Sequence, residues 1–264
     1  MMNIKEYLEF AKNCAIESGK IIRKGFFAPK RVSYKGFGNP VTEYDKASEK
    51  LIVSRIKKNF PDFSILTEEG LSVNKDSKNK WIIDPLDGTV NFAHCIPFVA
   101  VSIALEIEGE ILLGVVYNPI LNEIYYTSKG KGAFFNGRKI KVSSVSEPSK
   151  ALLVTGFPYE RKGRIEYLLS PIREIYKKFT GFRRLGSAAV DMCYVARGSF
   201  EGFYEENLKP WDTAAGKIIV EEAGGRISDY SGNDYNIYMK TIVASNGIIH
   251  PHILQILKNI PEPE

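Results

Sequence analysis

The 264-residue chain reads as an α+β to α/β protein. A half built from helices over an antiparallel sheet (residues 1–146) is followed by a mixed-sheet α/β half (147–264). Three observations predict this. Apolar residues recur at helical spacing over 4–24 and 44–59. Short apolar runs joined by tight turns fill 99–137, the pattern of a meander. Beyond residue 146, strand-like and helix-like segments alternate, which calls for a sheet covered by helices. With 44% hydrophobic residues, the chain has ample apolar surface for one large unit or two joined halves.

Taken in order, Ile4, Leu8, Ala11, Ala15 and Ile22 mark the first helix, ended by Gly25 and Pro29. Residues 30–41 are basic, glycine-rich and aromatic, and read as a mobile loop. Thr42 precedes a second helix, about 44–59, with Ala47, Leu51, Ile52 and Ile56 on one face and Pro61 as its stop. Phe63–Leu66 is a short strand, 72–79 a polar surface loop, and Lys80–Asp84 a buried strand ending on a carboxylate. Val99–Ile107, Ile111–Tyr117 and Glu123–Thr127 form the meander, and Asn136-Gly137 marks a further hairpin turn. Strands are expected at Leu152–Thr155, Phe182–Leu185, Phe200–Tyr204 and Thr241–Ala244. Helices are expected at 163–178, 187–197, 211–223 (capped by Gly224-Gly225) and 250–258.

Composition narrows the function classes. The longest apolar stretch, Pro97–Leu105, is too short to span a bilayer, so no membrane partner is expected. Met1–Glu6 lacks the apolar core of a signal peptide, and a cytoplasmic location is expected. Cys14, Cys95 and Cys193 form no metal-binding spacing and read as small buried hydrophobes. The net charge of +5 is spread along the chain; it suits steering of an anionic substrate without requiring nucleic acid. His94 reads as solvent-facing, and His250 and His252 as capping or surface residues.

The chemistry concentrates in Asp84-Pro85-Leu86-Asp87-Gly88-Thr89. A buried strand delivers Asp84 to its end, and Pro85 stiffens the exit. Leu86 turns its side chain into the core and thereby its carbonyl toward the site. Asp87 follows, and Gly88-Thr89 open a helix. Two carboxylates flanking an apolar residue suit neighbouring hard cations, and amides at a helix start suit phosphate oxygens. The alternative reading makes Asp87 a helix cap and Asp84 a loop acid. Glu68-Glu69 at a strand end, Asp212 at a helix start and Asp45 near another gain meaning only if they face this hexamer. The helix after Asp212 carries Ala214, Ala215 and Gly216, which permit close approach of another element.

Together, Val-Thr-Glu-Tyr-Asp (41–45), Glu68-Glu69, Trp-Ile-Ile-Asp-Pro-Leu-Asp-Gly-Thr (81–89), Pro210-Trp211-Asp212 with Glu221, Ala223, Gly224 and Gly225, and Arg183–Ala189 resemble the inositol monophosphatase family. That family lies within the lithium-sensitive, magnesium-dependent phosphatase superfamily that also holds fructose-1,6-bisphosphatases. The resemblance covers nearly the whole chain. It implies a layered αβαβα sandwich of the sugar-phosphatase type and two to three Mg²⁺ ions per site. It assigns Glu68, Asp84 and the Leu86 carbonyl to the first metal, and Asp84, Asp87 and Asp212 to the second. A weaker third would lean on Glu68, with Asp212 close. Asp45 and Thr89 would activate the attacking water, with Glu68 also in the catalytic set. Gly88 and Thr89 amides would hold the phosphate. Glu205 and Ala188 would meet substrate hydroxyls, with Gly186 and Ser187 shaping that wall, and Lys35 would lie on a loop that closes over the site. The chain departs from the pattern at Val90, where many relatives have a second Thr, at Lys209, where animal relatives often have His, and in a shorter 33–40 loop.

The mechanism expected from these residues is in-line attack by metal-activated water without a phospho-enzyme. Magnesium suits a set of oxygen ligands without His or Cys. The resemblance makes inositol 1-phosphate the default among small sugar or polyol phosphates. Fructose 1,6-bisphosphate is a second candidate, its extra phosphate facing Arg164, Arg183, Arg184 or Lys209. A rival reading comes from bacterial relatives that act with the transcription machinery, for which Arg183-Arg184 and the basic loop offer contacts. The resemblance also implies a homodimer, to which Phe157-Pro158-Tyr159 is expected to contribute.

Overall fold

In the computed structural model, which describes residues 3–258, the chain runs α1 (Ile4–Gly25), β1 (Val32–Gly36), β2 (Asn39–Thr42), α2 (Glu43–Asn59), β3 (Ser64–Thr67), β4 (Asn79–Asp87), α3 (Thr89–Ala93), β5 (Ala100–Ile107), β6 (Glu110–Asn118), β7 (Glu123–Ser128), β8 (Ala133–Phe135) and β9 (Arg138–Ile140). It continues with β10 (Leu152–Thr155), α4 (Ile165–Lys178), β11 (Gly181–Arg183), α5 (Ala188–Ala196), β12 (Gly202–Glu206), α6 (Pro210–Glu222), β13 (Arg226–Ser228), β14 (Thr241–Ser245) and α7 (His250–Leu257).

Strands β3 to β9 form a seven-stranded sheet in chain order, antiparallel except for the parallel β3–β4 pair. The second sheet has the order β11-β10-β12-β14-β13 and is mixed, parallel around β10 and antiparallel around β14. Alternation along the strands sorts the core into layers. In β4, Trp81 and Ile83 pack with α1 and α2 on the outer face, while Ile82 packs with α5 and α6 on the other. In the mixed sheet, Val154, Phe203 and Ala244 face α5 and α6; Leu153, Tyr204 and Val243 face α4 and α7. The result is the five-layer αβαβα sandwich that the family resemblance implies.

The helix signals are physical. Asn3 and Glu6 form a reciprocal capping box at α1, and Thr42 with Asp45 does the same at α2, satisfying amides that have no partner inside the helix. Tyr7, Ala11, Cys14, Ala15, Ser18 and Ile22 make the buried face of α1.

Three expectations are corrected, and one strand was not expected. Residues 30–41 are largely an antiparallel hairpin, β1–β2, rather than a loop; Pro40 is tolerated because a two-stranded ribbon has open edges. Cys95 is exposed, while Cys14 and Cys193 are buried, because the Cys95 backbone sits in a turn of φ 56° after α3. His250 is fully buried, its ring bridging Ser228 Oγ at 2.8 Å and Ser245 Oγ at 2.7 Å; His94 and His252 are exposed. Strand β13, three residues long, lies below the length at which alternation is legible.

Candidate active site

Strand β4 carries a β-bulge. Asp84 pairs with Ser102 and Asp87 with Ala100, so three steps on β4 match two on β5. In an unbroken strand Asp84 and Asp87 would point to opposite faces. The extra residue returns them to the same side and sends Leu86 into the outer core, where it is 1% exposed beside Trp81 and Ile83. Pro85, which has no N–H to give to the ladder, sits in the bulge, and its carbonyl accepts from Ser48 Oγ of α2 at 2.7 Å.

The bulge opens onto a cavity of about 560 Å³. Its walls include Lys35, Glu68, Asp84, Leu86, Asp87, Gly88, Thr89, Gly186, Ser187, Ala188, Glu205 and Asp212. Every site residue expected from the sequence therefore lines it except Asp45, which lies behind Thr89. Thr89 Oγ1 has two acceptors, Asp45 Oδ1 at 2.8 Å and Leu86 O at 3.1 Å. The other Asp45 oxygen accepts from the Thr42 amide at 2.8 Å and from the Thr42 hydroxyl.

Each acid is fixed by its own element. Asp84 Oδ1 accepts from the Leu86 amide at 2.9 Å. Asp87 Oδ2 accepts from Ser187 Oγ at 2.6 Å and the Ala189 amide at 2.8 Å, at the start of α5. Asp212 Oδ2 caps α6 through the Lys209 amide at 2.7 Å. Ser102 Oγ, beside Asp84 in the ladder, donates to the Trp211 carbonyl at 3.3 Å and ties the start of α6 to the first sheet. Glu68 Oε1 and Glu69 Oε1 each lie 2.7 Å from Lys35 Nζ, delivered by β1. Gly88 has φ 87°, and a Cβ there would stand 2.8 Å from the Phe98 carbonyl.

Electrostatics mark the cluster. Burial, reinforced by the charges of Glu68, Asp87 and Asp212, raises the Asp84 pKa well above the usual carboxylate range. Burial pushes Asp87 up to about 6 against the hydrogen bonds of Ser187 and Ala189. Asp212 is raised by burial and by the charge of Asp87, and Asp45 by burial, partly offset by Thr42 and Thr89. Burial works against the Lys35 ammonium, yet Glu68 and Glu69 outweigh it and raise its pKa. The mutual strain on Asp84, Asp87 and Asp212 is a deficit of positive charge, and the donors are all hard oxygens, so the set fits Mg²⁺. Among the described residues, no group of three or more His, Cys, Asp or Glu is arranged to hold an ion as it stands. The acids face one space, with Glu68 turned to Lys35.

Sequence reasoning missed Glu49. Its carboxylate is 2% exposed and accepts from Thr67 Oγ1 at 2.9 Å and from the amides of Glu69 at 3.0 Å and Leu71 at 3.3 Å. It thus holds the turn that presents Glu68. Its position four residues after Asp45, on the same helical face, was the available signal. Phe157, Pro158 and Tyr159 line the cavity. So do Arg184 and Lys209, whereas Arg183 is outside the lining and Arg164 pairs with Glu206 at 2.7 Å.

The family model for the inositol monophosphatase family matches residues 3–262. The chain belongs to that family. Among its relatives, Nus factor SuhB of Salmonella typhimurium is 41% identical over 242 residues, covering 90% of this chain and 91% of its own. Inositol-1-monophosphatase of Mesorhizobium japonicum is 39% identical over 247 residues, covering 92% and 93%. The crystal structure of the extragenic suppressor protein SuhB from Bartonella henselae superposes with a TM-score of 0.92 at 38% identity, over 96% of this chain and 99% of that one. Of the stretches that carried the resemblance, Glu68, Asp84, Leu86, Asp87, Gly88, Thr89 and Asp212 line the cavity.

Proposed function

We propose that the chain is a Mg²⁺-dependent phosphomonoesterase that hydrolyses inositol 1-phosphate and other small sugar or polyol phosphates with water as nucleophile. The observation that carries this reading is the facing of Glu68, Asp84, Asp87 and Asp212 into one cavity, beside the Gly88-Thr89 helix start and the Asp45–Thr89 hydrogen bond. Glu68, Asp84 and the Leu86 carbonyl would hold one Mg²⁺; Asp84, Asp87 and Asp212 a second; Glu68 and Asp212 a weaker third. When bound, the metals neutralise the acids and the charge on the attacking and leaving oxygens. The Gly88 and Thr89 amides orient the phosphate in line with the attacking water. Thr89 Oγ1 accepts a proton from that water and passes its own to Asp45 Oδ1, which Thr42 holds in place. Gly186, Ser187, Ala188 and Glu205 wall the polyol side, and Lys35 reaches in from β1. No side chain is phosphorylated in this scheme.

The test is phosphate release from a panel of sugar and polyol phosphates with Mg²⁺, with EDTA and with Li⁺. Release that needs Mg²⁺ and stops with EDTA supports the reading; release indifferent to EDTA, or none from any sugar phosphate, ends it. For fructose 1,6-bisphosphate, Arg184 and Lys209 are the cations on the cavity wall for a second phosphate. A homodimer is proposed as well; the exposed apolar face of α4 (Ile165, Leu169 and Tyr176) supports it.

A second reading rests on the relatives named Nus factor SuhB, in which the chain works with the transcription machinery and catalysis is secondary. Asp84→Ala separates the two. Loss of all cellular function supports the enzyme, and retained function supports the partner role.

A further inference from the structure

One acid on the cavity wall is left out of the scheme above. Asp191 lies in the first turn of α5, 1% exposed, and lines the cavity. Its neighbours among the acids have partners. Asp87 has Ser187 and Ala189, Asp84 has Leu86, Asp212 has Lys209, and Asp45 has Thr42 and Thr89. Among the described residues, Asp191 is the only acid with both carboxylate oxygens buried and without a hydrogen-bond partner. A buried carboxylate without a hydrogen-bond partner is costly, so it persists where something supplies the missing donor.

The surroundings say what kind of donor. After burial, the charge that acts most strongly on Asp191 is that of Glu205, and Arg184 is the cation that offsets it. Glu205 is itself buried and packed so closely on Gly156 that any Cβ there would collide with the carboxylate, 2.1 Å from Oε2. Two buried acids thus share part of the cavity lining. Neutral O–H groups are the donors that fit.

We propose that Asp191 is a specificity-determining residue, its carboxylate accepting a hydrogen bond from a hydroxyl of the polyol portion of the substrate, next to the one met by Glu205. The inference rests on the phosphatase reading and deepens it. The pair selects an alcohol with neighbouring hydroxyls and disfavours phosphates of hydroxyl-poor alcohols.

The test compares inositol 1-phosphate with cyclohexyl phosphate, the same ring without free hydroxyls, in wild type, Asp191→Ala and Asp191→Asn. Burial and the charges of Glu205 and Asp87 raise the Asp191 pKa well above the usual carboxylate range, so the bond at stake is close to a neutral one, whose loss corresponds to about a threefold to tenfold loss. In Asp191→Ala the ratio of kcat/KM for inositol 1-phosphate over cyclohexyl phosphate is expected to fall by that factor, mainly through KM. Asp191→Asn, whose amide oxygen still accepts, recovers part of it and serves where the alanine variant does not fold. An unchanged ratio in both variants, with activity lost equally on the two substrates or on neither, overturns the proposal and leaves the phosphatase reading standing. A wild-type protein that does not favour inositol 1-phosphate over cyclohexyl phosphate overturns the proposal too, and one that releases phosphate from no member of the sugar phosphate panel sinks both readings.

Discussion

Thr89 has one hydroxyl proton and two acceptors, so it gives that proton to Asp45 or to the Leu86 carbonyl. Only the first arrangement lets it take a proton from water while disposing of its own. Asp45→Asn removes the proton acceptor while leaving Asp84, Asp87 and Asp212 in place. We expect kcat to fall by about a hundredfold or more, with the Mg²⁺ concentration for half-maximal rate shifted less than about twofold. Steady-state kinetics across a Mg²⁺ titration decides it, and a near-normal kcat removes Asp45 from the chemistry. Gly88 is constrained in a different way. Its φ of 87° and the Phe98 carbonyl 2.8 Å from where a Cβ would stand both resist a side chain. Gly88→Ala is expected to destabilise by about 1–2 kcal/mol from the left-handed backbone alone, and to lose most of its activity as the phosphate-facing turn shifts. A melting temperature and rate equal to wild type would refute this.

At the scale of elements, the acids act through what presents them. Glu49 on α2 holds the turn carrying Glu68 by three hydrogen bonds. Glu49→Ala is expected to raise the Mg²⁺ requirement about tenfold, since partners behind metal ligands carry effects of that size, while a metal-saturated kcat changes less. Equal Mg²⁺ requirements in variant and wild type would rule it out. This level also shows what the chain announced in advance. The 84–89 hexamer was legible because its strand and its helix start are local signals. The bulge at Pro85-Leu86 was not, because the extra residue exists only relative to the register of β5. The β1–β2 hairpin went unread because Gly36, Gly38 and Pro40 obscure the alternation of Val32 and Tyr34. Glu49 and Asp191 escaped because an acid on a helix reads as solvated until the surface packed over it is known. His250 likewise acquires its buried place only from the two serines that β13 and β14 bring to it.

For the molecule as a whole, the proposed metal and the pH are expected to change the stability. Mg²⁺ at about a hundred times its dissociation constant contributes about 2.7 kcal/mol if it binds only the folded chain, a rise in Tm of about 5–10 °C at this size. Thermal shift with and without EDTA measures it, and no rise in Mg²⁺ would place the ion elsewhere. Burial, aided by Arg226, pushes the His250 pKa down from 6.5 to about 4. Between those values the unfolded chain binds the proton and the folded one does not, so stability present above pH 6.5 drains away as pH falls toward 4. His250→Asn is expected to flatten the dependence of Tm on pH in that window; parallel curves for variant and wild type would exclude it. The helices α5 and α6 are the layer that both sheets share, and the pocket draws Asp84 from one sheet, Glu205 from the other, and Asp87's grip and Asp212 from the helices between. Neither sheet owns the pocket alone. Returning turnover in a refolding chain therefore times the closing of that last seam, and a break that lets the two sheets part would silence catalysis while the circular dichroism of each stayed intact.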